Sequence, residues 1–284
     1  MTFKKALEKY ELKVSLTKSE GTYKYFLGKK NLLLKYIENI ECDEIDDDIM
    51  LMLIKNLKDR NPLISNVTLN KYQKMVRQIL KSSCKIELEI EKLPENKKVI
   101  QTIPQNIINR IYKYYSKNLN SPINIRNYLI FRLYNETGLR VNELVNLRLN
   151  DFDMQNCIIL VKKTKTNNER YVFYTKETNS LLNRYIIMCN INNYVFINFK
   201  TLDRLTVDSI ETIATRLRKR LDIAQSISPH KWRHSFATRF VRKNGNMEVL
   251  RHIMGHESLK TTQKYLHLDK DSLQEEYNRV NNVS

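Results

Sequence analysis

Apolar residues recur at helical spacing through most of this 284-residue chain, and that periodicity limits the folds open to it. In the first third the pattern is clearest in YKYFLGKKNLLLKYIENI, DDDIMLMLIKNLKDR and TLNKYQKMVRQILKSS. Apolar side chains three and four residues apart form one face of a helix. We expect Asp48 or a neighbour to cap the second of these helices and Thr68 the third, because both can accept a hydrogen bond from a free N–H. The first third is therefore predicted to be helical.

One pair of segments breaks the helical pattern. CIILV and RYVFYT are rich in β-branched and aromatic residues, and KKTKTNNE separates them, which is typical of a β-hairpin. The pattern is helical again in PQNIINRIYKYYSKN and SPINIRNYLIFRLYNE before the hairpin and in VDSIETIATRLRKRLDIA after it. Gly138 is expected to end the helix that precedes TGLRVNELVNLRL. We therefore predict an α+β fold that is mainly α, with one small β-sheet.

The polar segment EIEKLPENKKVIQTIPQ divides the chain into two parts. It contains Pro94 and Pro104 and lacks a helical period, so it is predicted to be a linker. We place a helical domain at residues 1–93, the linker at 94–104 and a second domain at 105–284.

Charge is unevenly distributed between the two parts. The chain has 49 basic and 31 acidic residues, a net charge of +18. Up to Lys97 there are 19 basic and 15 acidic residues, and beyond it 30 and 16. Such an excess favours a polyanionic partner, nucleic acid first and an anionic membrane surface second. The second domain is therefore expected to bind the polyanion most strongly.

Other features of composition narrow the class of protein. There is no long uncharged apolar run and no apolar signal-peptide centre, so we expect neither membrane insertion nor secretion. The four cysteines are far apart and form no CxxC pair, which suits a reducing cytosol and provides no zinc framework. We predict a cytoplasmic protein.

The stretch SPHKWRHSFAT concentrates cationic and titratable groups on one short helix. Ser228 suits the N-cap and Pro229 the first helical position. His230 lies in the first turn and Arg233 three residues later, close to the same face. Free N–H groups and the positive end of the helix dipole make this turn suitable for an anion such as phosphate. The alternative is a capped surface helix with a solvated basic face.

All five histidines fall between His230 and His267, and two pairs are spaced four residues apart. A zinc site, and with it a zinc hydrolase, therefore has to be considered. Over this interval there are eight Lys and Arg residues but only Glu248 and Glu257 as acids. That charge repels a divalent cation and attracts phosphate. We expect no metal and no other cofactor.

Four motifs in order resemble the signature of a known family. They are TGLRVNEL at 137–144, HKWRH at 230–234, MGH at 254–256, and Tyr265 nine residues after His256. Their order and spacing resemble those of the tyrosine recombinases, the lambda-integrase family. The resemblance covers residues 100–270, and the helical domain before it also suits the family.

The resemblance implies a reaction and a role for each matching residue. Tyr265 would attack a DNA phosphodiester, form a 3′-phosphotyrosyl bond and free a 5′-hydroxyl, without ATP. Arg140 and Arg233 would bind the non-bridging oxygens through their guanidinium forks. His230 would assist proton transfer from the tyrosine, and His256 would bind a non-bridging oxygen.

A hairpin lysine would protonate the leaving 5′-oxygen in this family. The lysine usually lies in a glycine-flanked turn, which this chain lacks. Alignment of the following NNER places Lys165 at the family position, and Lys163 remains the alternative. In the neighbouring motifs Glu143 is expected to pair with a nearby arginine, and His234 to have a supporting or buried position.

The resemblance also implies partners and a biological setting. The two domains would form a C-shaped clamp on double-stranded DNA, and four protomers would act on two DNA sites, with a possible accessory DNA-binding protein. The tail helix would present Leu273, Tyr277 and Val280 to a neighbouring protomer. We favour a compact bacterial recombinase of the Xer-like or transposon-resolvase type, nucleoid-associated and acting for a mobile element. The alternatives are chromosome-dimer resolution, a catalytically inactive DNA-binding regulator, and a relaxing topoisomerase.

The choice between the two hairpin lysines can be tested directly. Lys165→Ala is expected to slow DNA cleavage more than Lys163→Ala. A substrate with a 5′-bridging phosphorothiolate should restore cleavage by Lys165→Ala, because a thiolate leaves without a proton. Cleavage rates of both variants on both substrates provide the measurement, and a larger, rescuable defect in Lys163→Ala would reverse the assignment.

Overall fold

The structure, a computed structural model, describes residues 1–95, 101–162, 169–263 and 265. The chain forms two compact units, Met1–Lys98 and Val99–Ser284. In the described part of the chain no helix is long and apolar enough to span a bilayer.

The first unit is a set of helices around its own apolar core. The helices are α1 (Phe3–Thr17), α2 (Glu20–Ile37), α3 (Asp47–Arg60) and α4 (Asn66–Ser83). Phe3, Leu7, Leu33 and Val76 are among the side chains with no exposed surface. Three of the helices match the predicted segments, whereas α1 is a helix that the periodicity does not single out.

The N-caps of α3 and α4 are set by short polar side chains. Asp46 caps α3, and its Oδ1 accepts a hydrogen bond from the backbone N–H of Ile49 at 3.0 Å. Ser65 caps α4, and its Oγ accepts from the backbone N–H of Thr68 at 3.3 Å. The prediction that Thr68 caps α4 is therefore wrong, because the helix begins one turn earlier and Thr68 is the donor.

The segment after α4 lies along the first unit instead of leaving it. Ile86, Leu88, Ile90 and Leu93 are partly buried against the helical core. The Asn70 side chain binds the backbone of Leu93 in both directions, with both N···O distances at 3.0 Å. Residues 94 and 95, where we place the start of the linker, are also held, since Asn66 and Asn70 bind Pro94 and Glu95.

The second unit contains the remaining helices and a small sheet. Its helices are α5 (Gln105–Ser116), α6 (Pro122–Thr137), α7 (Val141–Val145), α8 (Lys176–Cys189), α9 (Val207–Arg220), α10 (Pro229–Arg242), α11 (Met247–Met254) and α12 (Leu259–Gln263). A 3-10 turn, Leu149–Asp151, precedes β1 (Phe152–Asp153), β2 (Ile158–Val161) and β3 (Arg170–Phe173). The predicted fold class, mainly helical with a small sheet, is confirmed.

The sheet is antiparallel in the order β1-β2-β3, so the predicted hairpin pairing is confirmed. Ile159 pairs with Val172, and both are fully buried. Arg170, two residues before Val172, is buried on the same face, whereas Tyr171 and Phe173 are exposed. Because successive side chains of a strand point to opposite faces of the sheet, the charged side chain of Arg170 faces the interior together with Val172. Lys163 and Lys165 lie outside the described residues, as does the predicted tail helix.

α6 and α10 form the centre of the second unit. Phe131 of α6 and Trp232 of α10 are buried with ring centroids 5.6 Å apart. Ser235 of α10 accepts the backbone N–H of Ile103 at 2.7 Å, which fixes the entry of the chain into this unit. α8 is another helix that the periodicity does not single out; Thr175 caps it by accepting from Thr178.

Gly138 ends α6 in the left-handed conformation, with φ of 65°. A Cβ atom at this position would lie 2.5 Å from Cδ1 of Phe236 in α10. A residue with a side chain would therefore be disfavoured both by its backbone conformation and by its packing. The prediction that Gly138 caps this helix is confirmed.

Gly138→Ala is expected to destabilise the second unit by about 1–2 kcal/mol or more, because the left-handed conformation alone costs that much for a residue with a Cβ. Trp232 is the only tryptophan, so its fluorescence during urea unfolding reports on this unit. The control is Gly28→Ala, within α2, where a Cβ would meet nothing within 4 Å. That variant should stabilise the first unit by about 1 kcal/mol and leave the tryptophan transition unchanged. An unaltered transition in Gly138→Ala would contradict the packing described.

Candidate active site

Three arginines meet at the C-terminal end of α11. The last carbonyls of a helix have no partner within it and carry the negative end of the dipole. Here Ile253 accepts from Arg170 Nε at 2.7 Å, Met254 accepts from Arg233, and Gly255 accepts from Arg140 Nη2 at 2.9 Å. Three successive carbonyls therefore bring together side chains from β3, α10 and the turn before α7. We call these three residues the arginine layer.

Arg140 lies at the N-cap of α7, two residues after the left-handed Gly138. Glu143 accepts its backbone N–H at 2.7 Å and its Nη1 at 2.9 Å. The Arg140 side chain remains 38% exposed, so part of the guanidinium faces solvent. The turn thus fixes the arginine while leaving donors available to a ligand.

Glu143 and Arg170 form a buried bidentate ion pair. Arg170 donates from Nη1 and Nη2 to the two carboxylate oxygens at 2.9 and 2.7 Å, and the side chains are 8% and 12% exposed. Burial alone would raise the pKa of the Glu143 carboxyl, but Arg170 and Arg140 together lower it to about 2. Glu143 is therefore ionised at neutral pH, and it pairs with neighbouring arginines as the sequence suggests.

Arg233 is the most deeply buried residue of the arginine layer. It is 6% exposed and donates from Nη1 to the Gly138 carbonyl at 2.6 Å. Burial, and then the like charge of Arg140, lower the pKa of its guanidinium to about 9. It is still protonated at pH 7. A bound anion would relieve this repulsion, because the layer has three positive charges against the single carboxylate of Glu143.

Tyr265 packs beside the arginine layer with its hydroxyl directed at a histidine. Its oxygen lies 2.8 Å from Nδ1 of His234, and the ring is 2% exposed among Phe236, Leu250 and Met254. Burial raises the pKa of the Tyr265 hydroxyl, and the charge of Arg233 opposes that shift. The tyrosine is therefore held as a neutral phenol next to a cation.

The two other predicted histidines have different surroundings. His256, which follows Gly255, is buried, and its Nδ1 lies 2.8 Å from Oγ1 of Thr262. Its backbone N–H donates to the Arg251 carbonyl at 3.0 Å. His230 is exposed in the first turn of α10, and its side chain forms no hydrogen bond with any residue that the structure describes.

The structure thus brings together four of the predicted site residues, Arg140, Arg233, His256 and Tyr265. His230 lies at the surface of the same helix as Arg233. Lys165 lies outside the described residues. Ser228 and Pro229 begin α10 as predicted, although the Ser228 side chain makes no capping hydrogen bond.

Two residues that contact this site, Arg170 and His234, are not among the predicted catalytic residues. Arg170 could have been found from strand alternation, because it lies two residues before the apolar Val172. His234 was assigned only a supporting position, and the helical pattern carries no signal that it meets a tyrosine 31 residues away.

A cleft of about 460 Å³ lies beside Arg140, and it is lined by three basic and two acidic side chains, with Lys162 paired to Asp151 at 2.7 Å. Arg148 and Lys162 line it together with Tyr194, whose hydroxyl accepts from Arg148 at 3.1 Å. The guanidinium carbon of Arg148 is 4.9 Å from the centre of the Tyr194 ring, and that of Arg204 is 6.0 Å from it. Within the described residues, no group of three or more His, Cys, Asp or Glu side chains is placed to hold a metal ion.

Comparison with known proteins identifies relatives of the second unit and of the whole chain. A profile described as "Phage integrase family" matches residues 101–272. A probable integrase/recombinase of Acholeplasma phage L2 is 30% identical over 288 residues, which is 99% of this chain and 98% of that protein. Tyrosine recombinase XerA of Saccharolobus solfataricus is 38% identical over 161 residues, 57% of this chain and 52% of XerA, so the chain spans about half of that relative.

Solved structures share the fold at lower identity. The Tn1549 transposon integrase in complex with transposon right end DNA superposes with a TM-score of 0.79 at 17% identity, over 98% of this chain and 99% of that one. The XerH site-specific recombinase bound to a palindromic difH substrate has a TM-score of 0.72 at 23% identity, over 96% and 83% of the two chains.

Glu143→Gln is expected to lower the free energy of unfolding at pH 7 by about 3–5 kcal/mol, because it leaves Arg170 buried without an opposite charge. The contribution of Glu143 is fully present above its ordinary pKa of 4.5 and is lost as the pH falls toward about 2. Urea unfolding should therefore show a difference from wild type that shrinks between pH 5 and pH 2. Glu248→Gln, which breaks a surface pair with Arg251, is the control and should change little. Equal effects of the two substitutions would refute the role given to the buried pair.

Proposed function

This chain belongs to the phage integrase family of tyrosine recombinases, and from that premise we propose that it cleaves and rejoins double-stranded DNA at specific sites through a covalent Tyr265 intermediate. The observation that carries the proposal is that Tyr265 packs in one cluster with Met254, whose carbonyl accepts from Arg233 of the arginine layer. Arg140 and His256 lie at the same helix end and complete the proposed phosphate pocket.

The proposed reaction conserves the energy of the phosphodiester. The O–H bond of Tyr265 breaks and its proton passes to a base, while the phenolic oxygen forms a bond to phosphorus. The bond from phosphorus to the 5′-oxygen breaks, and that oxygen takes up a proton from the general acid. A 5′-hydroxyl of the partner strand later attacks the phosphotyrosine and releases the tyrosine. Each step forms one phosphodiester bond for every one that it breaks. The bond energy is therefore conserved, and the reaction requires neither ATP nor a metal ion as a reactant.

The arginine layer suits the transition state of this exchange. Negative charge concentrates on the non-bridging oxygens as phosphorus becomes five-coordinate, and Arg140 and Arg233 are already fixed by carbonyls before a phosphate arrives. Preorganised donors of this type each account for about 10²–10³ in rate. We assign the non-bridging oxygens to Arg140, Arg233 and His256, with Lys165 as the general acid. The resemblance assigns to His230 a hydrogen bond to the phosphate and assistance in proton transfer from the tyrosine.

The cleft beside Arg140 supports a DNA path across the second unit. Arg148 and Lys162 line it, and the guanidinium carbon of Arg204 lies 6.0 Å from the centre of the Tyr194 ring. Lysine and arginine side chains of this kind bind the phosphates of a duplex. We propose that the helical domain at residues 1–93 provides a second contact with DNA, that the 94–104 segment connects the two, and that together they clamp the duplex.

We propose a mobile element as the biological setting. The probable integrase/recombinase of Acholeplasma phage L2 aligns over nearly the whole of both chains at 30% identity, and we take the setting from that relative. Integration, excision and cointegrate resolution all fit this proposal, and chromosome-dimer resolution is the second candidate. A homotetramer on two DNA sites, a possible accessory DNA-binding protein and a place on the bacterial nucleoid belong to the same proposal.

Tyr265→Phe should abolish strand cleavage while DNA binding and folding persist, because the ring keeps its packing and only the hydroxyl is removed. The probe is a library of nicked duplexes of randomised sequence, in which the freed fragment diffuses away and traps the covalent complex. Wild-type protein should give a denaturant-resistant protein–DNA band, and sequencing of the trapped DNA should yield one preferred site.

The matched control is Tyr171→Phe, on the exposed side of β3, which should cleave like wild type. A covalent band that survives in Tyr265→Phe would refute the assignment of the nucleophile. Specific binding without any covalent band in the wild type would instead support the inactive DNA-binding regulator. Trapping with no preferred sequence would support a relaxing topoisomerase.

A further inference from the structure

We propose that His234 is a catalytic residue: it positions the Tyr265 hydroxyl and accepts its proton as the tyrosine attacks DNA. This inference rests on the proposed function and adds to it the identity of the group that accepts the proton of the tyrosine nucleophile. The family resemblance assigns proton transfer from the tyrosine to His230, so His230 and His234, both in α10, are alternative candidates for this role.

The geometry favours His234. Its Nδ1 lies 2.8 Å from the Tyr265 oxygen, which is the distance of a hydrogen bond ready for proton transfer. The rings are 5.6 Å apart and inclined by 52°. His230, one turn earlier on α10, is exposed and has no hydrogen bond to any described residue. Of the two histidines, only His234 is in contact with the hydroxyl.

The surroundings of Tyr265 make a proton acceptor necessary. The ring is 2% exposed within an apolar cluster, and burial opposes formation of the phenolate. A phenol attacks phosphorus poorly unless its proton is removed as the new bond forms. Arg233 can stabilise the developing negative charge but cannot take up the proton, because its guanidinium has no acceptor.

The charge next to Tyr265 also suits the transfer. Arg233, from the same helix α10 as His234, lowers the pKa of the Tyr265 hydroxyl against the effect of burial. Arg140, Arg170 and Glu143 act on Arg233 in turn. This positive charge favours a negative oxygen on Tyr265 as the reaction proceeds. The transfer requires the tautomer in which Nδ1 carries no proton.

The O–H bond of Tyr265 breaks and an N–H bond forms at His234 Nδ1, leaving an electron pair on the phenolic oxygen. That pair forms the bond to phosphorus, the bond from phosphorus to the 5′-oxygen breaks, and the general acid protonates the leaving oxygen. In the reverse step the imidazolium returns its proton to the tyrosine.

The test measures the rate of covalent complex formation at saturating DNA, on the nicked duplex selected above. We expect His234→Ala to reduce that rate by about 10²-fold or more, the range for loss of a general base. His252→Ala is the matched control, because His252 is an exposed histidine of α11 that pairs with Glu248, and it should react like wild type.

A second measurement separates chemistry from structure. Replacing Tyr265 by 3-fluorotyrosine, a more acidic phenol, should restore much of the lost rate in His234→Ala, because less help is then needed to remove the proton. A 5′-bridging phosphorothiolate should not restore it, because that substrate corrects only the leaving-group side. If His234→Ala does not fold, His234→Asn takes its place. The Oδ1 atom of asparagine can accept the hydrogen bond of the tyrosine but cannot take up its proton, so the same defect and the same rescue by fluorotyrosine are expected.

The outcomes are distinct. A His234→Ala rate within a few-fold of wild type, or a defect that fluorotyrosine does not rescue, overturns the catalytic role of His234 and leaves the proposed function standing. A fluorotyrosine-rescued defect in His230→Ala, with none in His234→Ala, transfers the role to His230. Absence of a covalent complex in the wild type removes the proposed function and this inference together.

Discussion

The attachment of three arginines to the C-terminal carbonyls of α11 is the interaction on which the rest of this site depends. A helix C-terminus favours cations, and Ile253, Met254 and Gly255 each accept from a different one. Three guanidinium groups at close range also repel one another, and Glu143 offsets this by binding two of them. The positive charge is therefore assembled by the fold itself, before any phosphate is bound.

Two glycines make this arrangement sterically possible. Gly138 and Gly255 both have left-handed backbones, and both supply a carbonyl to the arginine layer. A Cβ at Gly255 would lie 3.1 Å from the Arg170 side chain, and one at Gly138 would collide with Phe236. The chain has only five glycines, and the two with positive φ are where the backbone must approach a cation closely.

Function and stability oppose each other at this site. Burial lowers the pKa of Arg233, which means that the folded protein holds a guanidinium where its charge is unfavourable. In the proposed complex a phosphate would supply the missing negative charge, so the feature that weakens the free protein would strengthen that complex. Tyr265 shows a parallel compromise, because its ring contributes to the apolar packing while its hydroxyl needs a partner such as His234.

The sequence by itself determined the local features. It predicted the helices of the first unit other than α1, the β2–β3 hairpin, the Gly138 cap and the order of the four motifs, because periodicity, capping and turn chemistry act between residues close in sequence. It also indicated that Glu143 pairs with an arginine. Only the tertiary structure decided which arginine and which histidine complete the site. Glu143 meets Arg170 across 27 residues, and Tyr265 meets His234 rather than His230. A helical pattern specifies which side chains share a face, but the packing of one element against another determines what that face contacts.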